Sequence, residues 1–455
     1  MKNHPTLNAF LFGVFLASLC QQGNATPYQF NSDANPQSPG SQSSTQLPEG
    51  LTSAPTGSIW TQDTLTGNWG GWRNKISEAG LSLSGNYQAE VFGNPVGGMK
   101  QGAISDGAFN FIANLDLERI THGFWQDAAI QANALYIYGP GLSGNYVGDF
   151  SNTSNISGPQ SVRLQELWFQ QLFWRERASV RMGMLAADTE FFTSTSSALF
   201  LNGTFGAFNL IGQNYPNSPV YPLSRPGVRV FIQPTSKFFV RAAVFGMDSN
   251  LDPSGNDLHG TDFKINGSLW MAEAGYLVNQ SPNDRGLQGT YKIGTFLQNG
   301  FTTWQSQANE ALGIGGLSSG STQCAVYGIA DQQVYNKEDR SISIFARGGF
   351  APAQYSFVDG YLDAGFNFTG FVPNRPQDIA GIALAYSPVS GDYSNAQVVQ
   401  GGSAYSKETV LEATYQIHLT PWCNIQPDVQ YIITPSGQVG SPNALVVGIR
   451  SSINF

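Results

Sequence analysis

Charge and long hydrophobic runs are both scarce in this chain. Only 12% of its 455 residues are charged, about half of the ~25% that is usual in soluble domains. No apolar run reaches the ~18–20 residues that a membrane-spanning helix requires. The formal net charge of −9 argues against nucleic-acid binding, which depends on cationic contacts with phosphates. Because the chain instead has 52 glycines and 13% aromatic residues, its composition indicates a secreted, mainly β protein.

Residues that carry catalysis or bind metals are also few. The chain has four histidines and three cysteines, and the histidines lie far apart with no metal-ligand spacing. No pair of carboxylates stands out as an acid–base couple. The segment 316–320 fits the nucleophile-elbow pattern, but it lies in a Gly/Ser-rich stretch and not between a strand and a helix. We therefore expect no enzyme, metal or cofactor. A secreted glycosidase and a soluble sugar-binding sandwich are distant alternatives.

The N-terminus has the features of an export signal. Lys2 precedes an apolar stretch at 9–19, and Ala25 ends a small-x-small cleavage motif. This order predicts a signal peptide over residues 1–25. Cys20 is a poor lipidation site because a large residue precedes it.

Two further segments precede the body of the chain. Residues 26–58 are rich in Pro, Ser and Gln, which is typical of a flexible periplasmic leader. Within residues 59–80, apolar side chains recur at helical spacing and Gly80 follows them. This pattern predicts a short amphipathic helix near the mouth of the domain formed by residues 81–455.

The domain at 81–455 alternates between apolar and polar residues. In 444–455, Leu445, Val447 and Ile449 occupy one face, and Arg450 and Ser452 occupy the other. About sixteen segments have this character: 81–93, 109–120, 126–139, 162–173, 178–187, 226–233, 237–247, 269–278, 289–299, 324–335, 341–351, 360–370, 378–389, 407–418, 422–433 and 444–455.

The lengths of these segments and of their links indicate a membrane barrel. Most segments have about 10–13 residues, enough for a tilted strand to cross a bilayer. The links alternate between about 19 and about 5 residues on average, as expected for long external loops and short periplasmic turns. The pattern predicts an all-β transmembrane antiparallel β-barrel of about 16 strands with a water-filled lumen in the bacterial outer membrane.

The barrel topology makes predictions about both ends of its strands. Aromatic residues cluster at segment ends, as in interfacial girdles that contact outer-membrane lipid. Phe455 ends an amphipathic strand, which is the usual signal to the barrel-assembly machinery. Cys324 opens a descending strand and Cys423 an ascending one, so they should lie a membrane thickness apart and unpaired. The strand count leaves a homotrimer and a monomer equally open.

Several motifs resemble the carbohydrate-selective porins of the OprB family, in the same order, from about residue 62 to the C-terminus. They are Leu65–Gly71 followed by Arg73, Glu166-Leu167-Trp168, Arg181-Met182-Gly183 leading through Glu190-Phe191 to 199–206, Phe345-Ala346-Arg347, the segment from 363–365 to 373–376, and 415–431. The resemblance implies a sixteen-stranded porin of Gram-negative bacteria that passes sugars, glucose-like ones especially, by facilitated diffusion.

A pore for neutral sugars needs hydrogen-bonding groups for hydroxyls and aromatic faces for the ring. Glu166 and Trp168 share one strand face, so we expect them to supply an acceptor and a stacking platform. Further path candidates lie on the polar faces of other strands: Arg181, Arg241, Arg347, Asp363 and Glu412. Such rows can narrow a lumen and set a transverse field, or they can simply hydrogen-bond one another in a wet wall. Both interpretations stay open.

The longest link, from about Asp188 to Arg225, is too apolar for a solvated loop. It contains five phenylalanines, at 191, 192, 200, 205 and 208. We expect it to fold into the lumen as the constriction, with Asp188, Glu190 and Asn202 as polar candidates. An external lid and a subunit contact are alternatives. Within the porin class, the net charge of −9 leaves a general or cation-preferring diffusion pore as the main alternative function.

Overall fold

The computed structural model describes residues 58–215, 217–248, 259–261, 263–281, 284–301, 303–314 and 320–455. The predicted signal peptide, the predicted leader up to residue 57 and nearly all of the 316–320 pattern lie outside the described residues. In the described part of the chain, no helix is long and apolar enough to span a membrane.

Sixteen antiparallel strands close into a single barrel, in which each strand pairs with its sequence neighbours and β16 pairs with β1. The predicted all-β barrel of sixteen strands is therefore confirmed. The strands are β1 Leu81–Val96, β2 Gly102–Asp116, β3 Ala128–Tyr138, β4 Ser161–Phe173, β5 Ala178–Leu185, β6 Arg225–Thr235, β7 Phe238–Met247, β8 Gly267–Val278, β9 Gly289–Phe301, β10 Ser321–Lys337, β11 Arg340–Phe350, β12 Gly360–Thr369, β13 Ile379–Pro388, β14 Lys407–Thr420, β15 Cys423–Ile433 and β16 Ala444–Asn454.

Short helices lie between some of the strands. The α-helices are α1 Trp72–Glu78, α2 Leu117–Ile120, α3 Asn209–Gly212, α4 Trp304–Ala311 and α5 Gly391–Val399. Single 3₁₀ turns occur at Trp69–Gly71, Ala187–Thr189, Ser197–Leu199, Gly203–Phe205 and Pro435–Gly437, and a π-turn at Ser143–Val147.

The alternation in sequence becomes a difference between the two faces of the wall. On β16, Ile449 is 47% exposed on the outside of the barrel, whereas Arg450 is 2% exposed and points inward. On β14, Leu411 faces outward and Glu412 inward. The outer face is therefore apolar, and the polar side chains of the strands line the interior.

The second strand begins earlier than the sequence pattern predicts, at Gly102 instead of residue 109. The stretch 102–107 does not show the alternation, because Ile104 points into the barrel while Ser105 faces outward. Its two glycines are needed because aromatic rings lie against the strand: a Cβ at Gly107 would approach the Tyr138 hydroxyl to 2.4 Å, and one at Gly102 would approach the Tyr146 ring to 2.1 Å. The first link is therefore a short turn, and the predicted link of about 15 residues there is wrong.

The N-terminal segment fastens onto the last strand. Arg73 of α1 donates to the carbonyl oxygen of Phe455 at 2.7 Å and to Thr64 Oγ1 at 2.6 Å. The Leu65 amide donates to the carbonyl oxygen of Asn454 at 2.8 Å. Arg73 also donates to the Leu83 carbonyl oxygen of β1 at 3.4 Å. Because β1 and β16 form the closing seam, these contacts hold both sides of that seam at one end of the barrel.

The two ends of the barrel differ in their connections. Two-residue turns join β6 to β7, β10 to β11 and β14 to β15 at one end, which we call the short-turn end. The opposite, long-loop end carries the long links that follow β3, β5, β7, β9 and β13. Cys324 and Cys423 are both free; Cys324 lies near the long-loop end and Cys423 at the short-turn end, as predicted.

Candidate functional site in the barrel lumen

The link between β5 and β6, residues 186–224 and here called loop L3, lies inside the barrel. Its five phenylalanines are at most 1% exposed. They pack against aromatic rings of the wall; for example, the Phe208 ring stacks on Tyr361, with centroids 5.3 Å apart. The hydrophobic core therefore lies inside the cylinder, between L3 and the wall. The predicted inward fold of this loop is present.

Glu190 of L3 is the centre of an arginine cluster. Its carboxylate lies 2.7 Å from Arg181 Nη1 and 2.7 Å from Arg229 Nε. Arg241 donates to the Glu190 carbonyl oxygen at 2.7 Å and pairs with Glu273, whose carboxylate lies 3.2 Å from Arg241 Nε. Burial by itself would raise the pKa of Glu190, but the three arginines outweigh burial and hold its pKa below the usual value.

Glu166 and Trp168 both point inward from β4. A bulge between Leu164 and Glu166 shifts the register, so that the even-numbered residues after it face the lumen. Glu166 Oε1 accepts from the Ala186 amide at 3.0 Å, so this carboxylate fixes the first residue of L3. The Arg181 guanidinium lies 3.9 Å from the centre of the Trp168 ring. Trp168 thus carries a cation on one face, next to the arginine cluster.

Arg347 and Asp363 form a second anchor for L3. Arg347 donates to the carbonyl oxygens of four L3 residues, at 3.3, 3.1, 2.8 and 3.0 Å: Phe192, Thr204, Phe205 and Gly206. Asp363 accepts from Arg347 Nε at 3.0 Å and neutralises its charge. Because guanidinium is a planar fork with five donors, one side chain can hold two turns of the loop at once.

Glu412 and Asn202 form a third anchor. Glu412 accepts from the Leu201 amide at 2.5 Å and from the Asn202 amide at 3.0 Å. The Asn202 side chain donates to Gln430 Oε1 at 2.9 Å. Backbone donors at this tip of L3 are therefore satisfied by the wall of β14 and β15.

Asp188 forms a contact within L3 itself. Its Oδ2 accepts from the Tyr221 amide at 2.7 Å, which joins the start of the loop to its end. Burial raises the pKa of Asp188 to about 6, an effect that the Tyr221 amide only partly offsets.

The link between β3 and β4, residues 139–160 and here called loop L2, also bends inward. Arg450 pairs with Glu90 and donates to Ser154 Oγ at 3.1 Å and to Asn155 Oδ1 at 2.7 Å. Ile156 packs on apolar residues of β2 and β3 near the long-loop end. L2 therefore covers the part of β2 and β3 that is nearer the long-loop end. The polar residues of these two strands that are nearer the short-turn end stay outside this contact.

The ten predicted path residues thus fall into four groups. Trp168, Arg181, Glu190 and Arg241 form one continuous cluster, and Glu166 belongs to it as the inward neighbour of Trp168 on β4. The other groups are the Arg347–Asp363 pair, the Glu412–Asn202 contact and Asp188. Most of these side chains bind L3.

Sequence reasoning missed a row of amides on the wall opposite the Arg347–Asp363 anchor of L3. We call Asn110, Asn114, Asn133 and Gln165, on β2, β3 and β4, the amide row. In the described part of the chain, the side-chain oxygen of each is buried and has no hydrogen-bond partner, and Trp168 Nε1 beside them also lacks one. The alternation of β2 places two of these residues on its polar face, so the signal was present, but amides were not weighed against charged groups.

Comparisons with known proteins agree with this architecture. The family model for the carbohydrate-selective porin, OprB family matches residues 100–455. The chain belongs to this family. Among curated relatives, Porin B of Pseudomonas aeruginosa is 25% identical over 436 residues, which cover 86% of this chain and 91% of that protein. The putative porin QuiX of Acinetobacter baylyi is 21% identical and covers 87% and 94%.

Solved structures match over nearly the same extent. The high-pH structure of Pseudomonas putida OprB has a TM-score of 0.79 at 25% identity and covers 88% of this chain and all of that one. The low-pH structure has a TM-score of 0.57 at 20% identity and shows a similar fold. The porin is therefore an outer-membrane channel of a sugar-transporting family and not an enzyme.

Proposed function

We propose that the porin passes glucose-like neutral sugars by facilitated diffusion through a passage between L3 and the amide row. Hydrogen bonds from L3 reach β8, β10, β11, β12, β14 and β15. Within the described residues, L3 makes no hydrogen bond to β1, β2 or β3. The side of the lumen that L3 leaves unbonded thus carries three members of the amide row, Asn110, Asn114 and Asn133, and the fourth, Gln165, lies on β4 beside the contact of Glu166 with L3.

The chemistry of this wall suits a neutral polyhydroxylated solute. A side-chain amide both donates and accepts, so it can pair with either role of a sugar hydroxyl without attracting ions. Buried polar atoms that lack a protein partner need water or a ligand group. The Asn110, Asn114 and Asn133 oxygens, together with Trp168 Nε1, supply three acceptors and a donor of this kind. Because each such contact is modest, sugar can enter and also leave.

The predicted path residues then have two roles. Glu166, Trp168, Arg181, Glu190 and Arg241 border the passage next to the amide row and give it an edge on which arginines and carboxylates stand side by side. The remaining candidates act as positioning residues, because they hold L3 in place and thereby set the width of the passage: Asp188, Asn202, Arg347, Asp363 and Glu412.

Liposome swelling tests this function. Glucose should enter liposomes that contain the porin faster than mannitol, which has a similar size and hydroxyl count but no ring. Asn133→Ala should reduce glucose entry about two- to tenfold below saturation, the cost of one or two lost hydrogen bonds. Gln323→Ala is the matched control, because Gln323 is an inward amide on β10, away from the amide row, whose nitrogen donates to Ser356 Oγ at 2.6 Å. Equal rates for glucose and mannitol would contradict sugar selectivity.

The termini support a proposal about assembly. The Phe455 ring lies edge-on to Phe109, with centroids 5.9 Å apart, and its carbonyl oxygen binds Arg73. The N-terminal segment can form these contacts only after β16 has met β1. We therefore expect the C-terminal strand to be free for the barrel-assembly machinery until the seam closes.

A further inference from the structure

We propose that the long-loop end carries a separate saccharide-binding cleft between α4 and α5, where sugar is captured before it reaches the lumen. This inference rests on the proposed transport of neutral sugars, and it concerns residues far in sequence from L3 and the amide row. The cleft has a volume of about 650 Å³, within the ~300–1,000 Å³ typical of small-molecule sites. Its lining residues are Trp304, Gln307, Glu310, Ala311, Ala396, Gln397 and Gln400.

The two helices are held rigidly relative to each other by the link between β11 and β12. The Trp304 amide donates to the Gln354 carbonyl oxygen at 3.0 Å, and the Trp304 indole N–H donates to that of Ser356 at 2.9 Å. On the other side, Ser390, the residue that caps α5, donates through its hydroxyl to the Ala353 carbonyl oxygen at 2.6 Å. One short segment therefore fixes both walls of the cleft.

An aromatic cluster fixes the indole ring itself. The Tyr393 ring meets Trp304 edge-to-face, with centroids 4.9 Å apart. Tyr393 in turn packs on Phe357 at 4.9 Å and on Tyr405 at 5.2 Å. With its N–H bonded and Tyr393 packed against its ring, Trp304 is preorganised, and such rigidity reduces the entropy that binding costs.

The composition of the lining selects the class of ligand. Its seven residues include no cation, so an anionic ligand would find no counter-charge. A single carboxylate, Glu310, is too few for a divalent cation, which needs several oxygen ligands. The three glutamines make the lining polar, which does not suit a wholly apolar ligand. A neutral saccharide fits all of these groups, because its ring face can stack on Trp304 while its hydroxyls pair with the amides and Glu310.

Direct binding measurements on the purified porin in detergent test this site. Saturation-transfer NMR with glucose and with mannitol as probes should give a ring-proton signal for glucose that Trp304→Ala weakens. Glucose affinity should fall about fivefold, equivalent to ~1 kcal/mol. Trp304→Phe should retain most of the binding, because it keeps a ring at the same place. Gln397→Ala should weaken binding without disturbing the aromatic cluster, which keeps the test decisive if Trp304→Ala unfolds the loop.

Transport measurements separate this inference from the proposed function. Loss of the cleft should slow glucose entry at low concentration but not at saturation, and it should leave the block of ion current by glucose unchanged. If Trp304→Ala and Gln397→Ala both bind and transport glucose like the parent while Asn133→Ala does not, the capture site is wrong and the lumen path stands. If the parent shows no preference for glucose over mannitol, the proposed function fails, and the NMR comparison still decides whether the cleft binds sugar.

Discussion

At the scale of single residues, the lumen is organised around buried charges that neutralise one another. Glu190 faces three arginines, and Asp363 faces Arg347. Removing one partner of such a pair leaves the other charge buried and uncompensated, which costs more than the pair itself contributes. These side chains are therefore as important for the shape of the lumen as for its electrostatics.

Replacing Glu190 tests this balance. Glu190→Gln removes the negative charge and leaves Arg181, Arg229 and Arg241 facing one another. We expect the free energy of unfolding to fall by about 3–5 kcal/mol and the ion selectivity of the channel to move towards anions. Denaturant unfolding and reversal potentials in a KCl gradient measure the two effects. Glu338→Gln, an exposed change in the turn between β10 and β11, is the control. An unchanged reversal potential would show that Glu190 does not border the passage.

Asp188 gives the lumen a dependence on pH. Because burial raises its pKa from 3.8 to about 6, the folded protein binds the proton more tightly than the unfolded chain does. The stability from this group is fully present below pH 4 and is lost as the pH rises through about 6. The thermal midpoint of Asp188→Asn minus that of the parent should therefore increase between pH 4 and pH 7. Asp392→Asn, an exposed change on α5, is the control. A difference that stays flat or falls would contradict the assignment.

At the scale of elements, L3 lies inside the barrel and is attached to the wall at several separate points. Arg347 is its strongest single attachment, because four carbonyl oxygens of the loop accept from it. L3 sets the width of the passage, so a looser attachment should change conductance before it changes the barrel.

Arg347→Lys isolates this attachment. Lysine keeps the charge beside Asp363 but has no planar fork, and it cannot reach all four carbonyls. We expect larger and noisier single-channel currents with unchanged strand content. Planar-bilayer recording and circular dichroism measure these properties. Arg340→Lys, in the exposed start of β11, should behave like the parent. Unchanged current noise in Arg347→Lys would mean that the other contacts of L3 suffice.

The elements were largely predictable from the sequence, because one face of each strand meets lipid and the other meets a polar interior. The predicted strand boundaries were wrong where the two faces of a strand do not differ in this way. Gly102 and Gly107 have no side chain because Tyr146 and Tyr138 lie against them, and between them Ile104 points inward while Ser105 faces outward, so alternation could not show that β2 begins there. The apolar composition of L3 predicted its inward fold. Its anchors were not predictable, since they join residues far apart in sequence, such as Leu201 and Glu412.

The candidate site was predictable in type but not in function. The sequence identified Arg347 and Glu412 as inward-facing charged residues, but in the structure both form hydrogen bonds with the backbone of L3. The residues of the amide row lie on polar strand faces too, but they were not chosen as path candidates because an amide carries no charge. What distinguishes the row is that its neighbouring oxygens have no partner within the described structure and that three of the four lie on strands to which L3 makes no hydrogen bond. A sequence holds no information about missing partners.

At the scale of the whole molecule, the barrel contains two unequal halves. One half is filled by L3 and its aromatic core, and the other carries unpaired amides. The central claim is that sugar moves through the second half. Reactive thiols placed on either side of L3 can locate the path directly, because the native Cys324 and Cys423 are free and can both be replaced by serine.

The most direct measurement is glucose entry into liposomes before and after a bulky thiol reagent is added, with one new cysteine at a time in that background. For Asn133→Cys, we predict that the reagent stops most glucose entry, because the modified side chain would block the passage beside the amide row. For Gln323→Cys, on the filled side of L3, we predict little change. Block at position 323 without block at position 133 would contradict the account.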